Sequence, residues 1–213
     1  MADYSPAHER ANVLTHLFGF GFGLVALPLL VWTVVKNSPT SKLDVLGSVA
    51  YGFGFLMVFG FSTLYHYQGQ PERKYLMKIW DHISIYYMIA GTYTPYLIWY
   101  ADPPDARLML FVLWGLAAAG TVFKVFFTGK FRLVSTLIYL VMGWLIVAAP
   151  QSFKDNLPDN QTFWIALGGA FYSLGVIFYL VRRIPFHHAI WHVFVLGGAV
   201  SHYIGIWKMY GNI

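Results

Sequence analysis

Seven long apolar stretches, near residues 13–35, 44–66, 82–100, 107–127, 133–150, 162–181 and 187–207, take up most of this sequence of 213 residues. A membrane-spanning helix needs about 20 mostly apolar residues, and each stretch is of that order. Within hydrocarbon the backbone must satisfy its own hydrogen bonds, which leaves helices and closed barrels. Barrel strands read as short alternating segments, whereas these runs are continuous. The expected fold is therefore an all-α membrane protein: a bundle of seven transmembrane helices, forming one polytopic domain over 1–213. Composition agrees, since 58% of the residues are hydrophobic and 11% are charged, far less charge than a soluble domain carries. The opening MADYSPAHER lacks the basic start and short apolar core of a cleaved signal, so the first run is expected to remain as a helix.

Lysine and arginine counts set the orientation. Arg10, Arg73, Lys74, Lys78, Lys124, Lys130, Arg132, Arg182 and Arg183 fall on one side, and Lys36, Lys42, Arg107, Lys154 and Lys208 on the other. Nine against five places the N-terminus in the cytoplasm and the C-terminus outside. The net charge of +5 is spread over loops with no basic run, which suits anionic lipid headgroups and speaks against nucleic acid.

Ionisable residues are costly near a membrane interior and mark function when they occur there. Ser62-x3-His66 closes the second stretch, Asp81 opens the third, and His188-x3-His192 opens the seventh. The end of span 2 and the start of span 3 share a membrane face, and four crossings return the chain to that face for span 7. Parity thus brings His66, Asp81, His188 and His192 to one level. Residues four apart on a helix stack one above the other, so His188 and His192 can point at one metal, with His66 as a third ligand. Cysteine is absent, so a metal must rest on imidazole and carboxylate. Three neutral histidines suit zinc and leave one open position, where a bound water can have its pKa lowered to about 7.

The general base is not on the histidine helix, because Ala189 stands where the metalloprotease pattern has Glu. Asp81 is the nearest carboxylate on that face, and the dipole at the first turn of its helix would favour its ionised form. Ser62, one turn deeper than His66, could orient water or an oxyanion. Each residue alone has a plainer role: interfacial snorkelling for the histidine pair, helix packing for Ser62, capping for Asp81. Glu9, Asn12 and His16 form a second polar stripe at the start of span 1, suited either to supporting or gating the metal site or to holding the N-terminal turn on loop 2–3. His16 is a reserve ligand, ranked below the other three. His202, about 15 Å beyond His192 along the helix, is too far to join them and is expected either to pair with Ser201 or to belong to the outer half of the cavity. His82 and His187 should face away from the site. Pro28 and Pro95 should kink their spans, and Trp and Tyr at the span ends form interfacial belts.

The stretches ERANVLTHLFGFGFG (9–23), STLYH (62–66), WDHISIYYMIAGTYTPY (80–96) and FHHAIWHVFVLGGAVSHYIG (186–205) resemble the hemolysin III family, relatives of the progestin and adipoQ receptors. The resemblance implies a seven-helix bundle with a cytoplasmic N-terminus. It also implies a zinc ion held by His66, His188 and His192, with Asp81 and Ser62 beside the metal-bound water. Related adiponectin receptors and alkaline ceramidases are linked to hydrolysis of the ceramide amide bond. The compact chain suits a bacterial plasma membrane. The first expectation is thus a zinc-dependent membrane hydrolase acting on an amide or ester of a lipid, with membrane lipids as its surroundings. The second is a non-enzymatic sensor of membrane state with a structural zinc, and the third a cytolysin or pore, for which no amphipathic toxin segment is visible.

Overall fold

The computed structural model describes residues 5–38 and 40–211, and the first four residues of the polar opening lie outside them. Among the described residues there is no strand. Eight α-helices follow in order: α1 (Pro6–Asn37), α2 (Lys42–Tyr67), α3 (Pro71–Tyr100), α4 (Pro103–Phe127), α5 (Arg132–Gly143), α6 (Gln151–Asn156), α7 (Asp159–Leu180) and α8 (His187–Gly211), with a 3-10 turn at Leu145–Ala148. By length and composition α1, α2, α4, α7 and α8 can each cross a membrane. Bulky apolar residues stand exposed around the bundle, with Phe111 at 79%, Phe126 at 70% and Phe18 at 69%. Such faces are aggregation-prone in water and at home in lipid. The architecture is that of an all-α membrane protein.

The helices overrun the apolar stretches at their ends, and two expectations need correcting. The third helix does not begin near 82. It starts at Pro71, whose fixed φ suits the first helical position, and the charged segment Glu72 to Asp81 continues it without a break. Asp81 is therefore some ten residues inside α3, neither a cap nor in the first turn, so the dipole argument for its charge fails. The charged first turns and the tyrosine-rich remainder also make α3 less apolar than its neighbours.

The fifth stretch is not one continuous helix over 133–150. α5 stops at Gly143 after 12 residues, a 3-10 turn follows, and Pro150 caps the short α6. The break is supported from α3. Tyr93 donates its hydroxyl to the Gly143 carbonyl at 2.7 Å and accepts from the Ile146 amide at 2.7 Å. Interrupted helices persist at membrane depth when neighbours satisfy the freed backbone in this way. α1 and α3 stay helical through Pro28 and Pro95.

Close backbone approach holds α2 on α3. A Cβ at Gly54 would lie 2.6 Å from the Tyr87 carbonyl oxygen, and one at Gly91 2.5 Å from that of Ala50, so only glycine fits either position. Two tyrosine hydroxyls fasten α8 to α2 and to α1. Tyr51 of α2 donates to the Ala199 carbonyl at 2.7 Å, and Tyr203 of α8 donates to the Ala26 carbonyl of α1 at 3.1 Å. These contacts bring the start of α1, the end of α2 and the start of α8 together.

Candidate metal centre

His66 sits in the last turn of α2, while His188 and His192 occupy successive turns at the start of α8. Their ring centroids are 5.1 Å apart for His66 and His188, 5.1 Å for His66 and His192, and 4.5 Å for His188 and His192. One ligating atom from each falls within 4.8 Å of the other two. His66 and His192 are buried, and His188 is partly exposed. The convergence expected from parity and helical spacing is present, and the trio could hold a metal ion. Its donors are three nitrogens with no sulfur, a set that fits zinc with one position open.

The first helix aims two of these rings. Nδ1 of His66 lies 2.7 Å from Glu9 Oε2, and since a carboxylate only accepts, that nitrogen carries the proton. The Asn12 side-chain amide lies 3.3 Å from the same nitrogen. Nδ1 of His192 donates in turn to the Asn12 carbonyl at 3.3 Å, with Thr15 Oγ1 at 3.2 Å. In both rings this tautomer puts the lone pair on Nε2, which is how carboxylates and carbonyls behind metal-binding histidines orient them. Glu9 also accepts from Lys74 Nζ at 2.6 Å, so it joins α1 to the first turns of α3 as well. One carboxylate of the polar stripe of α1 thus contacts both a ring of the trio and the start of α3. His16 packs against the His192 ring, with centroids 3.8 Å apart, and stands outside the ligating trio.

Ser62, Asp81, His16, His188 and His192 all line a cavity of about 550 Å³, and His66 is not among its lining residues. Ser62 is buried one turn before His66. Asp81 is the sole carboxylate in the lining, and its Oδ2 is 3.2 Å from His82 Nδ1. His82 thus corrects an expectation. It lines the same cavity, its Nδ1 also lies 2.8 Å from the Lys78 carbonyl, and it is the direct partner of Asp81. Adjacent positions on a helix diverge by about 100°, but a wide cavity admits both. His187 does face away, donating to the Phe178 carbonyl at 3.0 Å and tying α8 to α7. His202 lines the far part of the cavity and stacks on Tyr172, while Ser201 donates to the Gly197 carbonyl, so the two do not pair.

Reasoning from sequence did not single out Thr15 or Lys74. Thr15 follows Asn12 by three, on the stripe already drawn through Glu9 and Asn12, and that spacing was the available signal. Lys74 was counted only for orientation.

The family model described as haemolysin-III related matches residues 4–203. The chain is 40% identical to "Hemolysin-3 homolog" of Bacillus subtilis (strain 168), over 91% of this chain and 90% of that one. It is 40% identical to "Hemolysin-3" of Bacillus cereus, over 90% and 86%. The human "Monocyte to macrophage differentiation factor" is 30% identical over 96% of this chain and 86% of its own. With a match along almost its whole length and relatives at this identity, the chain belongs to the haemolysin-III related family.

Proposed function

We propose that this protein is a zinc-dependent integral membrane hydrolase that cleaves an amide or ester bond of a lipid. The observation that carries the reading is the convergence of His66, His188 and His192 beside a cavity that also presents Asp81 and Ser62. A zinc ion in the trio would supply Lewis acidity and an activated water. His66 and His192 would hold it through Nε2, oriented by Glu9, Asn12 and Thr15. Asp81 is the proton acceptor at its carboxylate, steadied by His82, and later returns the proton to the leaving group. The Ser62 hydroxyl orients the reacting carbonyl by hydrogen bonding. The apolar part of the cavity wall takes the acyl chain and excludes bulk water.

In this reading the bundle crosses a bacterial plasma membrane seven times. α3 and the broken α5 segment supply the two crossings beyond the five long apolar helices. The N-terminus is cytoplasmic, and the site opens toward that side. The test is a mass-spectrometric screen of lipid hydrolysis by purified protein. Asp81→Ala and His188→Ala should each abolish turnover while leaving membrane insertion intact, and normal turnover in both would refute the mechanism.

One observation favours a second reading. The trio and its partners join α1, α2 and α8 (through Glu9, Asn12 and Thr15), as a structural zinc in a non-enzymatic sensor of membrane state would. In that case Asp81→Ala leaves function intact, and loss of the histidines loosens the bundle.

A further inference from the structure

The cavity beside the histidines is also strongly cationic. Its lining includes Lys78, Lys124, Lys130, Arg132 and Arg182, against the single carboxylate of Asp81. Ion pairs among the described residues join Glu9 to His66 and Lys74, and Asp81 to His82, so none of the five has an acidic partner in contact. Three of them are held in position. The Arg132 guanidinium lies 4.0 Å over the Tyr179 ring and donates to the Tyr179 carbonyl. Lys124, 1% exposed, donates to Ser135 Oγ at 2.6 Å. The Lys78 ammonium reaches the α4–α5 turn at Gly129, where a Cβ would sit 3.4 Å from it and where φ of +84° itself calls for glycine.

Positive-inside bias accounts for basic residues that meet headgroups around the bundle, such as the exposed Arg73 and Arg183, which do not line the cavity. It does not account for a lysine buried within α4 whose ammonium, among the described residues, donates to one hydroxyl and otherwise lies beside the Phe123 and Tyr139 rings. A buried ammonium is tolerated when an opposite charge is nearby, and here four more cations share one aspartate. An anion entering the cavity would relieve that imbalance.

We propose that Lys78, Lys124 and Arg132, assisted by Lys130 and Arg182, form a subsite for the phosphate group of a phosphorylated lipid. The planar fork of arginine beside compact ammonium groups is the combination that grips phosphate oxygens. A phosphomonoester carries a charge of about −1.5 to −2 near neutral pH, which answers several cations where a carboxylate answers one. Ile85, Met88, Ile89, Leu140 and Val176 line the same cavity and offer a wall for an acyl chain. At about 550 Å³ the space far exceeds a free phosphate and matches a drug-sized or lipid-sized guest. As the headgroup subsite of a substrate, it rests on the hydrolase reading above.

The test measures binding of short-chain phosphatidic acid to the full-length protein in detergent, by native mass spectrometry, with phosphatidylcholine and a fatty acid of equal chain length as comparators. Wild-type protein should bind phosphatidic acid at least about tenfold more tightly than either comparator, and binding should weaken as salt rises. Lys78→Gln and Lys124→Gln should each lower that affinity by about tenfold. Should Lys124→Gln fail to fold, Lys130→Gln in the exposed turn carries the same expectation. Equal affinity for the three lipids, or unchanged affinity in Lys78→Gln and Lys130→Gln, overturns the subsite. Displacement by inorganic phosphate at the same concentration as the lipid overturns its assignment to a lipid. Because the readout is binding, a protein that takes up phosphatidic acid and hydrolyses nothing upholds the subsite and refutes the hydrolase. Turnover of an uncharged lipid without preference for phosphatidic acid does the reverse.

Discussion

Glu9 shows how much of a candidate metal site can lie outside its three histidines. Its carboxylate fixes the proton on His66 Nδ1 and its second oxygen holds Lys74. Glu9→Gln keeps the shape and removes the charge, so it should weaken metal affinity by about 10- to 100-fold, as loss of such partners does elsewhere. Competition against a chromophoric chelator checks this, and unchanged affinity would mean that Glu9 serves only as a strut to α3. The grouping of the three histidines was legible in sequence because i,i+4 spacing and membrane parity are rigid rules. The partners of Asp81 and His192 were not. Which neighbour meets a given side chain depends on helix rotation, and no local pattern encodes the pairing of His82 with Asp81 or of Thr15 with His192.

Among the helices, the contact between α2 and α3 sets the distance from His66 to Asp81, since one ends the first helix and the other lies within the second. Gly91 has backbone of α2 in the way of any side chain, whereas Gly115 on α4 has nothing within 4 Å. Gly91→Ala should therefore destabilise the protein by about 1–3 kcal/mol through overpacking. Gly115→Ala should be neutral or slightly stabilising through helix propensity. Thermal unfolding in detergent separates the two, and equal midpoints would contradict the close approach. Apolar runs revealed where helices lie but not where they stop. α3 extends well ahead of its apolar part because the charged segment before it is also a good helix former with proline at its start. The interruption after Gly143 was hidden because its sequence is as apolar as a continuous span, and the partner that permits it, Tyr93, lies fifty residues away.

For the molecule as a whole, the proposed topology has a direct check, because the chain has no cysteine and single cysteines can be added one at a time. Ser5→Cys should react with an impermeant maleimide only after the membrane is opened, and Asn156→Cys in intact cells. The reverse pattern would invert the bundle and move the histidines to the outer face. The account as a whole turns on whether three imidazoles on two distant helices hold one metal ion. Elemental analysis of purified, zinc-loaded and dialysed protein measures it: about one zinc per chain is expected in the wild type and close to none in His66→Ala or His192→Ala. Wild-type protein without metal after loading, or variants that retain the same zinc, would contradict it.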